Sequence, residues 1–308
     1  MNTILLGVLP VFSIMGIGWG LRVSKVIPEN AWSPIERLAY FVFYPGFLIP
    51  AAWKADFANG SAGALGLSTI ASVIVVALAV LAVRPFLKIT GPAFTSVFQG
   101  ALRWNSFVFL PLTVALYGDK GSGLAAIVLG ALIPAINIMS VLVMTRWGEG
   151  QGGGWRGSLT GLAANPVIWS CAIGLALNLL HVPKPEIVMS ALKLLSDAAL
   201  AVGLIVAGGG LSFTYALSRP WLIGGVSAVK LLVLPILMWT LCRALGGDAT
   251  ALGIALICGS APGAAASYVL ARQMGGDARL MAGIVAFTTA ASLITIPVLL
   301  AIFGVTAG

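Results

Sequence analysis

The chain has 308 residues and a formal net charge of +8, yet only 8% of its residues are charged and 59% are hydrophobic. Soluble domains carry about 25% charged residues, and the mean hydropathy is +1.05, so a water-facing surface cannot be built from this sequence. Soluble enzymes, nucleic-acid binders and secreted disulfide scaffolds are excluded, and an all-α integral membrane protein is expected. Cys171, Cys242 and Cys258 are dispersed, with no CxxC, and His181 is the single histidine. They offer no metal site and no catalytic triad, so neither a cofactor nor an enzyme activity is expected.

A bilayer core takes about 20 apolar residues per helix, and the apolar runs between loop signals predict ten spans. The first, 3–21, has no basic leader and is read as a retained span rather than a cleaved signal. The second, 32–53, carries Tyr40, Tyr44 and Pro45, which either face a substrate or pack in the core. The third is 62–87. The fourth, 92–117, is apolar except at Arg103-Trp104-Asn105-Ser106. The fifth, 121–146, holds Asn137, either a site lining or a hydrogen-bonding contact between helices.

A glycine-rich connector, WGEGQGGGWRG from Trp147 to Gly157, then divides the chain. Residues 1–147 hold five spans, 148–157 form the linker, and 158–308 hold five more. The sixth span is 158–180. The seventh, 187–210, contains Asp197, either a proton-coupling group or the partner of Lys193 four residues earlier; it ends in Gly208-Gly209-Gly210, suited to close packing or a hinge. Lys230 lies in the middle of the eighth, 220–244, where a cation needs a partner or a cavity. The ninth, 249–273, contains Gly259-Ser260-Ala261-Pro262-Gly263, and the tenth is 278–304.

Loops then alternate sides. Arg22, Lys25, Arg37, Arg84, Lys88, Arg146, Arg156, Arg219, Arg272 and Arg279 fall on one side, and Lys54, Lys120, Lys184 and Arg243 on the other. The richer set marks the cytoplasm, so both termini are expected outside, in the periplasm, with the protein in the inner membrane.

Pro10–Val26 and Pro166–Val182 align without gaps, with identities at Pro10/Pro166, Val11/Val167, Ile17/Ile173, Gly18/Gly174, Leu21/Leu177 and Val26/Val182. A register one residue longer pairs Gly118 with Gly275, Ala125 with Ala282, Ile127 with Ile284 and Val128 with Val285. Five spans per half, an odd number, would place the two copies upside down relative to each other, the arrangement of many secondary transporters. The second register also sets Asn105 opposite Pro262. Proline removes an N–H and clashes with the preceding turn, and lipid does not tolerate the freed backbone groups unless they are buried in protein or face water. Two broken helices crossing at mid-membrane would aim their N-terminal ends at one centre, which favours an anion such as a carboxylate. Their carbonyl ends would suit a cation, so H⁺ or Na⁺ coupling stays open.

The candidate substrate-binding residues are therefore Asn105 and Pro262, with Ser106, Gly263 and Ser267 beside the breaks. Asn137 and Arg103 join them, Arg103 either touching substrate, or snorkelling or bonding a helix end. Lys230 completes the set, holding an anion or standing in for a coupling cation. Asp197 is the candidate coupling group, and no acid is expected near the crossing.

RWNSFVFLPLTVALYGDKGSGLAAIV, Arg103 to Val128, resembles the fourth-span signature of the auxin efflux carrier (PIN-like) family, and APGAAASYVLARQMGGDARLMAGIV, Ala261 to Val285, resembles that of the ninth. Asn165-Pro166 and Ser196-Asp197-Ala198 are also similar. The resemblance implies the ten-helix fold shared with bile-acid symporters and NhaA-type antiporters, with broken spans four and nine. It implies a scaffold domain (spans 1, 2, 6, 7), often dimeric, and a transport domain (3–5, 8–10) that moves like an elevator. The implied activity is transport of a small organic anion, with Na⁺-coupled symport of the bile-acid type as the alternative. The implied partners are a carboxylate, the lipid bilayer, and a second copy through the scaffold, with no nucleic acid. Plant members carry an Asn-Pro-Asn-like turn at the first crossing; Trp104-Asn105-Ser106 keeps one Asn and lacks the Pro, which argues against auxin itself.

Overall fold

The computed structural model describes residues 2–55, 61–149, 166–211, 213–216 and 218–305. Most of the 148–157 linker, and the start of the sixth predicted span with Asn165, lie outside them. The described residues form helices joined by short connections, with no strand among them. Five stretches are long and apolar enough to cross a bilayer: Ser61–Phe86, Gly91–Trp147, Glu186–Gly209, Pro220–Ala244 and Ala278–Ile302. Val8–Val23, Pro166–Leu179 and Ala249–Ser260 are shorter apolar helices.

In chain order the helices are α1 (Asn2–Val23), α2 (Glu29–Leu38), α3 (Tyr44–Lys54), α4 (Ser61–Val83), α5 (Gly91–Leu102) and α6 (Ser106–Trp147). There follow α7 (Pro166–Leu179), α8 (Glu186–Gly209), α9 (Pro220–Ala228), α10 (Leu234–Ala244), α11 (Ala249–Ser260), α12 (Ala266–Gln273) and α13 (Ala278–Ile302). A sharp kink divides α6 at Gly118, whose φ of 54° and ψ of −141° are open to glycine.

Two joints have a common physical cause. The chain passes from α2 to α3 through a π-helical turn, Ala39–Phe43, and from α9 to α10 through another, Val229–Val233. Each is followed two residues later by a proline, Pro45 and Pro235. A proline ring collides with the carbonyl four residues back, here Phe41 and Leu231. Widening the turn relieves that collision, and π turns of this kind recur at functional sites. One turn holds Tyr40 and the other Lys230.

The helices pack as two groups. In one, α1 lies along α8, and α3 packs on α7 and α8. In the other, α10 packs on α4 and α11, while α5 and α13 meet each other and α11 touches α4 and α13. α6 touches both groups. Small residues set the α1–α8 spacing: a Cβ on Gly18 would strike the Ile205 carbonyl, and one on Gly208 the Met15 carbonyl. Backbone-to-backbone approach of this kind substitutes for the hydrophobic drive that helices lack in lipid. The triple glycine thus serves close packing. The contact is pinned by Arg22, which donates to Gly209 O at 2.5 Å and forms an ion pair with Glu29.

Polar caps finish the ends. Asn178 Nδ2 donates to the carbonyls of Ala52, Trp53 and Ala55 and closes the C-terminus of α3. Asp248 caps α11 by accepting from Ala251 N–H and pairs with Lys120 at 3.1 Å. Burial works to raise the Asp248 carboxyl, but the Ala251 amide, Lys120 and Ser61 outweigh it and hold it below its ordinary value.

Candidate substrate cavity at two helix interruptions

Both expected breaks are present. α5 ends at Leu102 and α6 begins at Ser106, with Arg103 (φ −76°, ψ 135°) and Asn105 (φ −87°, ψ 106°) extended between them. Asn105 is the N-cap of α6, its Oδ1 accepting from Phe107 N–H at 2.9 Å, a role for which asparagine is favoured. α11 ends at Ser260 and α12 begins at Ala266. Pro262 causes this second break, because the residue before a proline is forced out of the α region; Ala261 sits at φ −59°, ψ 136°.

The two breaks touch. Asn105 N–H donates to Pro262 O at 2.7 Å, so the positions set opposite each other by the repeat register are bonded directly. Gly263 N–H donates to Thr288 Oγ1 on α13 at 3.0 Å. Ser267 N–H donates to Ala264 O, while the buried Ser267 hydroxyl finds no partner among the described residues.

Beside this contact lies a cavity of about 360 Å³, within the range of small-molecule sites. Its inner wall is made by Arg103, Trp104, Asn105 and Ser106 from the first break, and by Ala264–Ala266 at the start of α12. Asn137 and Ile133 of α6 form a side. The opposite wall comes from the other packing group: Glu36 and Arg37 of α2, Tyr40, Tyr44 of α3, and Val167 of α7. Tyr44 and Phe107 meet edge to face across this boundary, ring centres 4.8 Å apart. Exposure falls from Arg37, open to solvent, to Tyr44 and Asn105, both buried. The cavity therefore opens toward the end of the bundle that carries Arg22, Lys25 and Arg37.

Charge in the cavity is set by helix ends and arginines. The N-termini of α6 and α12 both reach it, and helix starts present free N–H groups and partial positive charge. Arg103 lines it with a buried Nη1 that has no hydrogen-bond partner among the described residues, and Trp104 Nε1 is in the same condition. Buried donors without partners cost free energy, and an acceptor bound in the cavity would satisfy them.

Asn105, Ser106, Arg103 and Asn137 line this cavity. Pro262, Gly263 and Ser267 lie in or behind the second break and hold its backbone. Lys230 does not line the cavity. It is fully buried, and its Nζ donates to Gly259 O at 2.6 Å, at the carbonyl end of α11. A Cβ on Gly259 would strike Pro235 of α10; this close approach brings the π turn that bears Lys230 to the end of α11. Asp197 lies away from the cavity, solvent-exposed and paired with Lys193 at 3.1 Å.

An acid in the cavity wall was not expected. The sequence suggested no acid near the crossing, yet Glu36 lies in the cavity wall. Its neighbour Arg37 reads as a loop cation, and the fold alone brings α2 against the first break. Tyr40 and Tyr44, for which a substrate-facing role was one of two readings, both line the cavity.

Residues 156–300 match a family model described as membrane transport protein, the domain of the auxin efflux carrier family. The match covers a little under half of the chain, and what it shows is that this part of the sequence is similar to that family. The family is one of membrane transporters, in keeping with the long apolar helices of this chain. The match takes in the second break, Lys230 and Thr288, and leaves the first break outside it. No curated protein matches the chain.

Proposed function

We propose that the protein is a secondary carrier that moves a small organic anion, a carboxylate, across the cytoplasmic membrane. The observation that carries this reading is the convergence, on one cavity open at one end, of two helix N-termini and an Arg103 donor that has no partner among the described residues. Such a cavity attracts negative charge, and a guanidinium binds a carboxylate through paired N–H groups.

An elevator movement is the mechanism this reading favours. Both breaks belong to one packing group and the facing wall to the other, so sliding of the groups would carry the site while leaving Glu36, Tyr40 and Tyr44 behind. Two inverted five-helix repeats, with α1, α3, α7 and α8 as scaffold, fit the bonded Asn105 and Pro262. By the excess of cations at its mouth, the cavity faces the cytoplasm. The membrane potential, inside negative, then favours efflux by about 2.3 kcal/mol per charge per 100 mV.

Na⁺ coupling is disfavoured by Lys230, whose ammonium already occupies the Gly259 carbonyl that a cation would use. The test is flux of radiolabelled carboxylates in proteoliposomes, with and without Na⁺. Carboxylate flux that is independent of Na⁺, and abolished in Asn105→Leu with the fold retained, is the expected result. Unchanged flux in that variant would remove the site assignment, and strict Na⁺ dependence would favour symport.

A further inference from the structure

The acid in the cavity wall calls for a role. Among the described acids, Glu29, Asp197, Asp248 and Asp277 are paired with Arg22, Lys193, Lys120 and Arg219. Glu36 has no hydrogen bond or ion pair to its carboxylate from any described residue, and among the described residues it is the single carboxylate lining this cavity, which is otherwise suited to anions. The groups facing it are Arg37 on its own helix, Tyr40 and Tyr44 one and two turns on, and Arg103 across the cavity. α6, α7 and α12 present Asn137, Val167 and Ala264–Ala266, none of them charged.

We propose that Glu36 makes anion binding in this cavity proton-linked, and does so only while the cavity faces the end of the bundle seen here. This rests on the anion-carrier reading above. An ionised Glu36 repels an incoming carboxylate inside a poorly solvated cleft. A protonated Glu36 removes the repulsion and offers an O–H donor. Binding of the anion therefore takes up a proton from solvent wherever the empty site holds Glu36 ionised, and affinity rises as pH falls. Glu36 sits on α2, which packs on α8 in the group without the breaks. When the site moves, Glu36 stays. The proton is thus returned to the side it came from, and Glu36 acts as a pH gate on loading at one face rather than as a carried coupling ion.

The experiment is calorimetric binding of acetate, benzoate, fumarate and indole-3-acetate to the full-length protein in nanodiscs, at pH 6 to 8, in two buffers of different ionisation heat. These ligands are themselves ionised over that range, so proton uptake reports the protein. Wild type is expected to take up close to one proton per anion at its upper pH, with affinity climbing by up to about tenfold per pH unit. Glu36→Gln is expected to bind with a flat pH profile and no proton uptake, and Glu36→Asp to restore the uptake. In proteoliposomes, pH on the cavity's side changes flux and pH on the far side does not. Anion binding by wild type without proton uptake overturns the inference and leaves the carrier reading standing, as does proton uptake that survives in Glu36→Gln. Failure of wild type to bind any of the four removes the anion reading, and this inference with it.

Discussion

The two helix interruptions meet at one hydrogen bond but are built for different work. The first, Arg103 to Asn105, contains no proline or glycine and presents side chains to the cavity: a guanidinium, an indole and the Asn105 cap. The second, Ala261 to Ala265, is alanine, proline and glycine, and presents backbone. Its polar needs are met from behind, by Thr288 on Gly263 N–H and by Lys230 on Gly259 O. On the proposed reading, one break would serve as a recognition surface and the other as an anchored platform. A pair of interruptions related by sequence register need not share their chemistry.

That contrast is open to attack. The largest effect is expected for Asn105→Leu: transport falls below detection, while loss of the cap costs about 1 kcal/mol of stability. Equal losses of flux and of folding, measured by transport and thermal unfolding on the same preparation, would erase the distinction. Lys230→Met should act the other way, leaving the α11 carbonyl end buried without a donor at a cost of about 2–3 kcal/mol, read as a clear fall in melting temperature in detergent. Thr288→Val orphans a single amide and is expected to cost about 1–2 kcal/mol by the same assay, with carboxylate affinity little changed. Asp197→Asn lies in an exposed pair outside the cavity lining and should change stability by no more than about 0.5 kcal/mol, with transport intact. Loss of transport there would restore it as a coupling site.

How much of this was visible in the sequence follows the same division. Pro262 with its flanking glycines announces a break by local chemistry, because proline acts on its own neighbours. Asn105 does not, and becomes visible only through the register that pairs it with Pro262. The mid-span lysine was conspicuous, yet its partner was hidden: a carbonyl leaves no mark in sequence, and the approach depends on the lack of a Cβ at Gly259. Pro45 and Pro235 were the available signal for the π turns, though proline alone does not distinguish a kink from a wider turn. Glu36 was illegible for a different reason. Periodicity and capping report contacts within a helix, while the meeting of α2 with the first break is a fact of tertiary packing.

The bond from Asn105 N–H to Pro262 O has one more consequence. It ties the cap of α6 to the chain between α11 and α12, so the two helix starts that reach the cavity are linked through one hydrogen-bonded junction. In the elevator movement proposed above, the field of these helix starts would travel with the cargo, so that a charge in transit would meet the same solvation at every depth. The barrier to crossing would then be set by the sliding of one protein surface over another, and not by stripping the ion anew inside the membrane.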